Sequence, residues 1–227
     1  MKFNKTQGYS FKLFLSIILL FPLTACLSSS DNDSNTGSRV SVFLNLENVN
    51  DVITAGDDSL QISVLKFIHG RSAFLSDSDT LYLKQNPKII IHRYRQDSVK
   101  ILADGVVREG SFQRLKFAIE QAPPSVDGID SDFVNGDTLY SIVIKGTYQD
   151  SIFVFKSTES FTPVIDLGTP LMAESNRLFQ YLIATDVASW FLDEGRQGLI
   201  NPQGSSAAEA INNNIEGSFR LENVENF

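Results

Sequence analysis

The chain has 227 residues, a formal net charge of −8 at pH 7 and one cysteine. This length fits one large domain or two small ones. The negative charge argues against nucleic-acid binding, because it repels phosphate backbones, and a single cysteine excludes an internal disulfide and a site with several cysteine ligands.

The N-terminal residues have the layout of an export signal. Lys2, Lys5 and Lys12 form a basic segment, and a short apolar run follows at residues 13–21. About ten apolar residues are too few to cross the roughly 30 Å hydrocarbon core of a bilayer as a helix. Residues 1–25 are therefore predicted to be a signal peptide rather than a membrane-spanning anchor.

The sequence Leu23-Thr24-Ala25-Cys26 resembles the lipobox of bacterial lipoproteins. The resemblance implies cleavage after Ala25, a diacylglycerol on the thiol of Cys26 and an acyl chain on its new N-terminus. Two or three acyl chains anchor a protein stably, whereas a single chain holds it marginally. A secreted protein whose signal ends near a cysteine is the alternative.

Residues 26–38 are predicted to be a flexible acidic tether, because few of them are apolar. Leu27 stands where lipoprotein sorting commonly uses an aspartate for inner-membrane retention, so the resemblance implies the outer membrane of a Gram-negative bacterium. Asp31 and Asp33 are similar to the acidic export tags of surface lipoproteins. A solvated linker explains them equally, so the domain could face the periplasm or the cell exterior.

From residue 39 onward, apolar residues follow the two-residue period of β-strands. The predicted strands lie near residues 39–48, 59–70, 88–96, 98–105, 111–122, 138–157 and 176–186. Residues 138–157 are predicted to form a hairpin that turns near Gln149 and Asp150. In the second strand, one face is expected to hold Leu60, Ile62, Val64 and Ile68, and the other Leu65 and Phe67.

The regular spacing of these strands predicts a mainly β protein, an antiparallel β-sandwich of the transthyretin or immunoglobulin type. Gly, Asp, Asn and Pro separate the strands at intervals of ten to twenty residues, and 17 phenylalanines are available to fill the core. No break convincing enough to divide residues 39–227 is seen, so one domain is expected.

One or two short helices are predicted near the C-terminus. The first begins at Thr185 or Asp186, ends at Gly195 and carries Trp190 as a core residue. The second begins with Ser206 and Glu209 at capping-box spacing. Its apolar stripe is expected to consist of Ala207, Ile211 and Ile215. The side chains expected in water are Asn212, Asn213 and Glu216.

No catalytic constellation is seen in the sequence. The two histidines, His69 and His92, lie on different predicted strands and are expected to be surface or half-buried residues. A set of His92, Asp97 and a serine lacks the G-x-S-x-G elbow that would position a nucleophile. A catalytic pair of carboxylates for glycoside hydrolysis stays a possibility, because the sequence does not give the distance between any two carboxylates.

The acidic segment "VDGIDSDFVNGD" is the most suggestive patch for a metal. Its carboxylate and amide oxygens are of the type that calcium prefers. It departs from the EF-hand order, and a solvated loop with Asp, Asn and Gly turns is the alternative. No other cofactor is expected. The calcium candidates are Asp127, Asp130, Asp132, Asn135 and Asp137.

Several segments resemble uncharacterised lipoproteins with a transthyretin-like sandwich. They are "REGSFQRLKFAIEQA", "YSIVIKGTYQDSIFVFKS", "LIATDVASWF", "GLINP" and "NNNIEGSF". The resemblance implies the fold rather than an activity. A related resemblance is to copper-handling periplasmic proteins associated with methanobactin uptake, which carry a His-Leu-Gly step where this chain has Asp166-Leu167-Gly168. No copper ligand is therefore transferred.

These observations favour an outer-membrane lipoprotein that acts as a non-catalytic binding module. Its expected partners are the membrane, through the lipid, and an envelope protein or extracellular ligand. The loops near residues 70–80, 121–138 and 196–206 are candidates for contacting that partner. The alternatives are a structural accessory subunit of an envelope complex and a hydrolase with an acidic active site.

Overall fold

The computed structural model describes residues 37–83, 87–122 and 130–226, all within the unit Asn35–Phe227. The signal peptide, Cys26 and Asp127 lie outside the described residues. The first strand begins at Gly37, two residues before the predicted start of the domain. In the described part of the chain, no helix combines the length and the apolar character needed to cross a membrane.

Strands make up most of the described chain. In chain order they are β1 Gly37–Glu47, β2 Val52–Ala55, β3 Asp58–Leu75, β4 Thr80–Tyr82, β5 Lys88–Arg93, β6 Val99–Arg108, β7 Gly110–Ile119, β8 Val134–Asn135, β9 Thr138–Leu139, β10 Ile142–Tyr148, β11 Ser151–Ser157, β12 Val164–Ala173, β13 Leu178–Asp186 and β14 Phe219–Asn226. The helical elements are two 3-10 helices, Ser131–Phe133 and Val187–Phe191, and one α-helix, α1, Ala207–Glu216.

Two main sheets form the predicted β-sandwich. Sheet A has the strand order β14-β13-β1-β6, and sheet B has the order β11-β10-β3-β7-β12, with β2, β4 and β5 also paired to β3. Neighbouring strands in both sheets are antiparallel, except that β1 and β13 are parallel. A small hairpin of β8 and β9 lies in the segment after residue 130.

The core lies between the inner faces of the two sheets. Along β1 the predicted alternation is confirmed, since Val40, Val42 and Leu44 are fully buried. The rings of Phe74 in sheet B and Tyr181 in sheet A meet with their centroids 5.4 Å apart. Burial of each large apolar side chain contributes about 1.5–3 kcal/mol, so this interior is the main source of stability.

The predicted faces of β3 are wrong in part. Leu60, Ile62, Leu65 and Phe67 are all buried in the same core, whereas Val64 is partly exposed. The register against β10 pairs Lys145 with Val64 but Gly146 with Ile62, which leaves Ser63 as an extra residue. This β-bulge reverses the alternation beyond it, so residues of unlike parity share one face.

The hairpin prediction is confirmed, because β10 and β11 are joined by Gln149 and Asp150. Both turn residues have positive φ, as in the type I′ turns that match the twist of a hairpin. Two long strands, β12 and β14, were not predicted, and β14 completes sheet A beside β13.

The first C-terminal helix differs from its prediction in type and length. Asp186 caps it through a bond from the Ala188 backbone N–H, as expected, but it is a 3-10 helix that ends at Phe191 instead of reaching Gly195. Trp190 is buried, as predicted, and its Nε1 donates to the hydroxyls of Thr185 and Ser218 at 3.1 and 2.9 Å.

The second C-terminal helix, α1, has the predicted buried stripe of Ala207, Ile211 and Ile215. Two details were wrong. Ser206 makes no side-chain capping bond, and Asn212 is buried instead of lying in water. The helix packs against both the Val187–Phe191 helix and β11, so its buried face is wider than a stripe with one residue in four.

Candidate functional site

Residues 130–137, the described part of the predicted acidic loop, lie on the outer face of sheet B, on the side of the sheet away from the main core. Phe133 anchors them there, since its fully buried ring packs with Ile68 of β3 and Val143 of β10. The strand register places Lys66 opposite Val143 and Val143 opposite Lys156. The loop therefore covers a row of side chains that begins and ends with a lysine.

Two carboxylates of this loop, those of Asp130 and Asp132, are paired with lysines. Lys66 Nζ lies 2.5 Å from Asp130 Oδ2 and 2.6 Å from Asp132 Oδ2. Lys145 Nζ lies 2.7 Å from Asp132 Oδ1, and Lys156 Nζ donates to the backbone carbonyl of Asp132 at 2.6 Å. Asp132 thus joins lysines from three neighbouring strands, and we call this set of residues the Asp132 network.

The lysines set the protonation states in the Asp132 network. Hydrogen bonds from Lys66 lower the pKa of Asp130, and those from Lys145 and Lys66 lower the pKa of Asp132. Burial alone would lower the pKa of Lys66, but its bonds to the two carboxylates outweigh burial and raise that pKa. Neither carboxyl group is held in the protonated form that a general acid requires.

Calcium at the acidic loop stays a prediction. The structure brings Asp130 and Asp132 together, while Asn135 and Asp137 are exposed at the β8–β9 turn. A calcium ion would have to displace Lys66 and Lys145 from carboxylate oxygens that they now occupy. Across the described ranges, no group of three or more His, Cys, Asp or Glu side chains is arranged to hold a metal ion.

Both histidines are fully buried. The prediction of surface or half-buried positions was therefore wrong. His69 Nε2 lies 3.1 Å from Ser72 Oγ, a pairing of a base with a hydroxyl that the sequence analysis missed. Burial, with a smaller effect from the charge of Lys88, lowers the pKa of His69 to about 4. Since Ser72 is also fully buried, the pair does not meet a substrate at the surface.

His92 has a structural role between two turns. Its Nε2 lies 3.2 Å from Asn50 Oδ1, which also accepts a bond from the Arg95 backbone N–H at 2.7 Å. An amide oxygen accepts hydrogen bonds, so Nε2 carries the ring proton here. The carboxylate of Asp97, considered with His92 as part of a catalytic set, accepts a bond from the backbone N–H of Val99. Burial lowers the pKa of His92 and outweighs the backbone and the charge of Asp97, which both act to raise it.

A second feature of sheet B is a groove of about 490 Å³ beside β4 and β7. Its lining includes two positively charged side chains, one carboxylate side chain and one tyrosine, and we call it the Arg71 groove. Its described lining residues are Arg71, Tyr82, Pro87, Lys116, Phe117, Ala118, Glu120 and Thr162.

Lys116 and Glu120 have close neighbours in the wall of the Arg71 groove. Lys116 Nζ lies 5.2 Å from the centroid of the Tyr82 ring and 3.4 Å from its hydroxyl oxygen. The carboxyl group of Glu120 lies against the backbone of Gly70, where a Cβ atom would come within 2.3 Å of Glu120 Cδ. Glycine at position 70 therefore leaves room for the side chain of Glu120 in the wall of the Arg71 groove.

Nothing in the sequence predicted the Arg71 groove as a site. Arg71 falls within the candidate loop 70–80, most of which is strand β3. Tyr82, Glu120 and Thr162 gave no signal, because they come from separate segments that only the sheet brings together.

Comparison with family models, characterised proteins and solved structures found no match to this chain.

Proposed function

We propose that the chain is an outer-membrane lipoprotein whose sandwich domain binds a ligand without converting it. The observation that carries the proposal is the Arg71 groove, a concave site with charged and aromatic side chains. Its volume lies within the range of about 300–1,000 Å³ typical of small-molecule sites. The lipobox at Cys26 supports anchoring to the membrane, and residues 26–38 would hold the domain away from it.

The arrangement of reactive groups favours binding over catalysis. Described lining residues of the Arg71 groove include no serine, cysteine or histidine to act as a nucleophile or base. The pairing of His69 with Ser72 is buried. The Asp132 network has its carboxylates paired with lysines, whereas an acid-base pair needs one carboxyl with a raised pKa.

Site-specific photo-cross-linking in intact cells tests the proposal. A photoreactive amino acid would replace Ala118 in the groove or, as a control, Ser41 on the outer face of sheet A. We expect a discrete adduct at position 118 and none at position 41, measured as the intact mass of the purified protein. The same adducts at both positions, or no adduct at position 118, would contradict a ligand site in the groove.

A structural accessory subunit is the second candidate, and the edge strand β11 favours it. β11 lies at one end of sheet B, and its side chains Ile152 and Val154 are 78% and 50% exposed. An apolar edge strand is a template for pairing with a strand of another protein. A photoreactive residue at Val154 would then capture one envelope protein, and Ile152→Lys would abolish that capture.

A further inference from the structure

We propose that the Arg71 groove binds an acidic saccharide, a sugar ring that carries one carboxylate. This inference rests on the proposed binding function and specifies its ligand. It is drawn from the charges that the groove leaves without an ionic partner, from the position of Lys116, and from the mixture of an aromatic ring with hydrogen-bonding groups.

The described lining of the Arg71 groove carries a net positive charge. Within residues 37–83, 87–122 and 130–226, neither Arg71 nor Lys116 forms an ion pair. With Glu120, the charges in the described lining sum to about one positive charge, in a chain whose net charge is −8. Cations grouped in a concave site attract an anion, and a guanidinium group matches a carboxylate with two parallel hydrogen bonds.

The ammonium group of Lys116 is already positioned in the groove. Its Nζ is held beside the Tyr82 ring by a cation–π contact and by the hydroxyl oxygen of that residue. A lysine side chain otherwise loses much of its rotamer entropy when it is fixed. Because Tyr82 already restrains the ammonium group, less of this entropy remains to be lost when an anion binds.

An aromatic ring and hydrogen-bonding groups in the groove suit the remainder of a sugar. Tyr82 is half exposed, so part of its ring surface is open to the apolar face of a sugar. Glu120 accepts hydrogen bonds, and the hydroxyl of Thr162 donates or accepts them, which suits neighbouring sugar hydroxyls. An aliphatic carboxylate has no hydroxyl groups with which to bond these side chains.

The carboxylate of Glu120 also decides between two kinds of anion. A phosphate monoester carries about −1.5 to −2 charges at pH 7, and Glu120 would repel the second charge. A sugar carboxylate carries one negative charge, which matches the single net positive charge of the lining. The charge of the lining therefore favours a uronic acid over a sugar phosphate.

Isothermal titration calorimetry of the full chain in detergent tests the ligand class. The probes are galacturonate, the neutral sugar galactose and inorganic phosphate. We expect galacturonate, which carries one carboxylate, to bind at least tenfold more tightly than either of the other two. Arg71→Gln and Lys116→Gln should each weaken its binding about tenfold or more, as expected when a charged hydrogen bond is lost.

The matched control is Arg114→Gln. Arg114 is exposed on the same strand as Lys116 and lies outside the groove, and its replacement removes the same charge. Its affinity for galacturonate should stay within twofold of wild type. Equal losses in all three variants, or no preference for galacturonate over galactose, would overturn the inference.

Preferential binding of phosphate would also overturn the saccharide class, but it would leave the groove as an anion site and the binding function standing. The cross-linking experiment at Ala118 is independent of the probe. An adduct in cells without galacturonate binding therefore rejects the ligand class alone, whereas the absence of both rejects the binding function as well.

Discussion

Asp132 is the residue on which the acidic loop most depends. Its two carboxylate oxygens are bonded to Lys66 and Lys145, and the side chain of Lys66 is only 11% exposed. Asp132→Asn removes the charge and leaves Lys66 with Asp130 alone. The variant should lose about 1–3 kcal/mol of unfolding free energy, because a largely buried charge keeps only part of its compensation.

Urea unfolding at pH 7 measures this effect of Asp132→Asn. Asp137→Asn is the matched control, since Asp137 is exposed on the same loop and forms no ion pair among the described residues. Its unfolding midpoint should match that of wild type. Equal midpoints for all three proteins would show that the Asp132 network contributes no stability.

His69 makes the stability of the domain depend on pH. Its pKa is about 4 in the folded protein and about 6.5 in the unfolded chain. Between these values the unfolded chain binds a proton that the folded protein does not. The free energy of unfolding should therefore fall, by an amount on the order of 2–3 kcal/mol from this residue, as pH decreases from about 6.5 to about 4.

The readout for His69 is the pH dependence of stability rather than its absolute value. In His69→Gln, the loss of stability over this pH range should be smaller than in wild type. A share remains, because burial also lowers the pKa of His92. Urea unfolding at pH 7.0, 5.5 and 4.5 makes the comparison, and an unchanged pH dependence in the variant would reject His69 as its source.

At the scale of the element, Gly146 is required by the bulge between β3 and β10. A Cβ atom there would lie 2.1 Å from the backbone oxygen of Gln61 and 2.9 Å from the Phe153 ring. The backbone of Gln61 cannot shift easily to relieve this contact, so Gly146→Ala should lower the free energy of unfolding by about 1–3 kcal/mol. The control is Gly217→Ala, because a Cβ at Gly217 meets no atom within 4 Å.

Chemical denaturation separates these two glycine variants. Gly217→Ala should unfold within about 0.5 kcal/mol of wild type, as surface substitutions usually do. If Gly146→Ala were equally stable, the close approach of β10 to Gln61 would not be a constraint on the sequence at this position.

The pattern of residues predicted the strands better than their faces. In β1, alternation alone identifies the buried side, since each inward residue is apolar. In β3 every position from Leu60 to Ile68 except Gln61, Ser63 and Lys66 is apolar, so both faces looked buried and the bulge left no distinctive mark. β14 contains mostly polar residues and is exposed along much of its length, which explains why its hydrophobic pattern was too weak to predict.

At the scale of the whole molecule, the two candidate sites differed in how much the sequence could reveal. The acidic loop was visible because its carboxylates are close together along the chain. The lysines that pair with Asp130 and Asp132 lie on β3 and β10, and only the folding of the sheet brings them to these carboxylates. The same holds for the Arg71 groove, whose residues are spread between positions 71 and 162.

Membrane attachment of the whole molecule is predicted to depend on Cys26. Each buried methylene of an acyl chain contributes about 0.8 kcal/mol to membrane binding, so removal of all the chains removes the anchor. Cys26→Ser should therefore move the protein from the washed membrane fraction to the soluble fraction and abolish the lipid mass adduct. Ser28→Ala, two residues away, should keep both the membrane location and the adduct. If Cys26→Ser left the protein in the membrane with the same mass as wild type, the lipoprotein assignment would be wrong, and the Arg71 groove would have to be explained for a domain held at the membrane in another way.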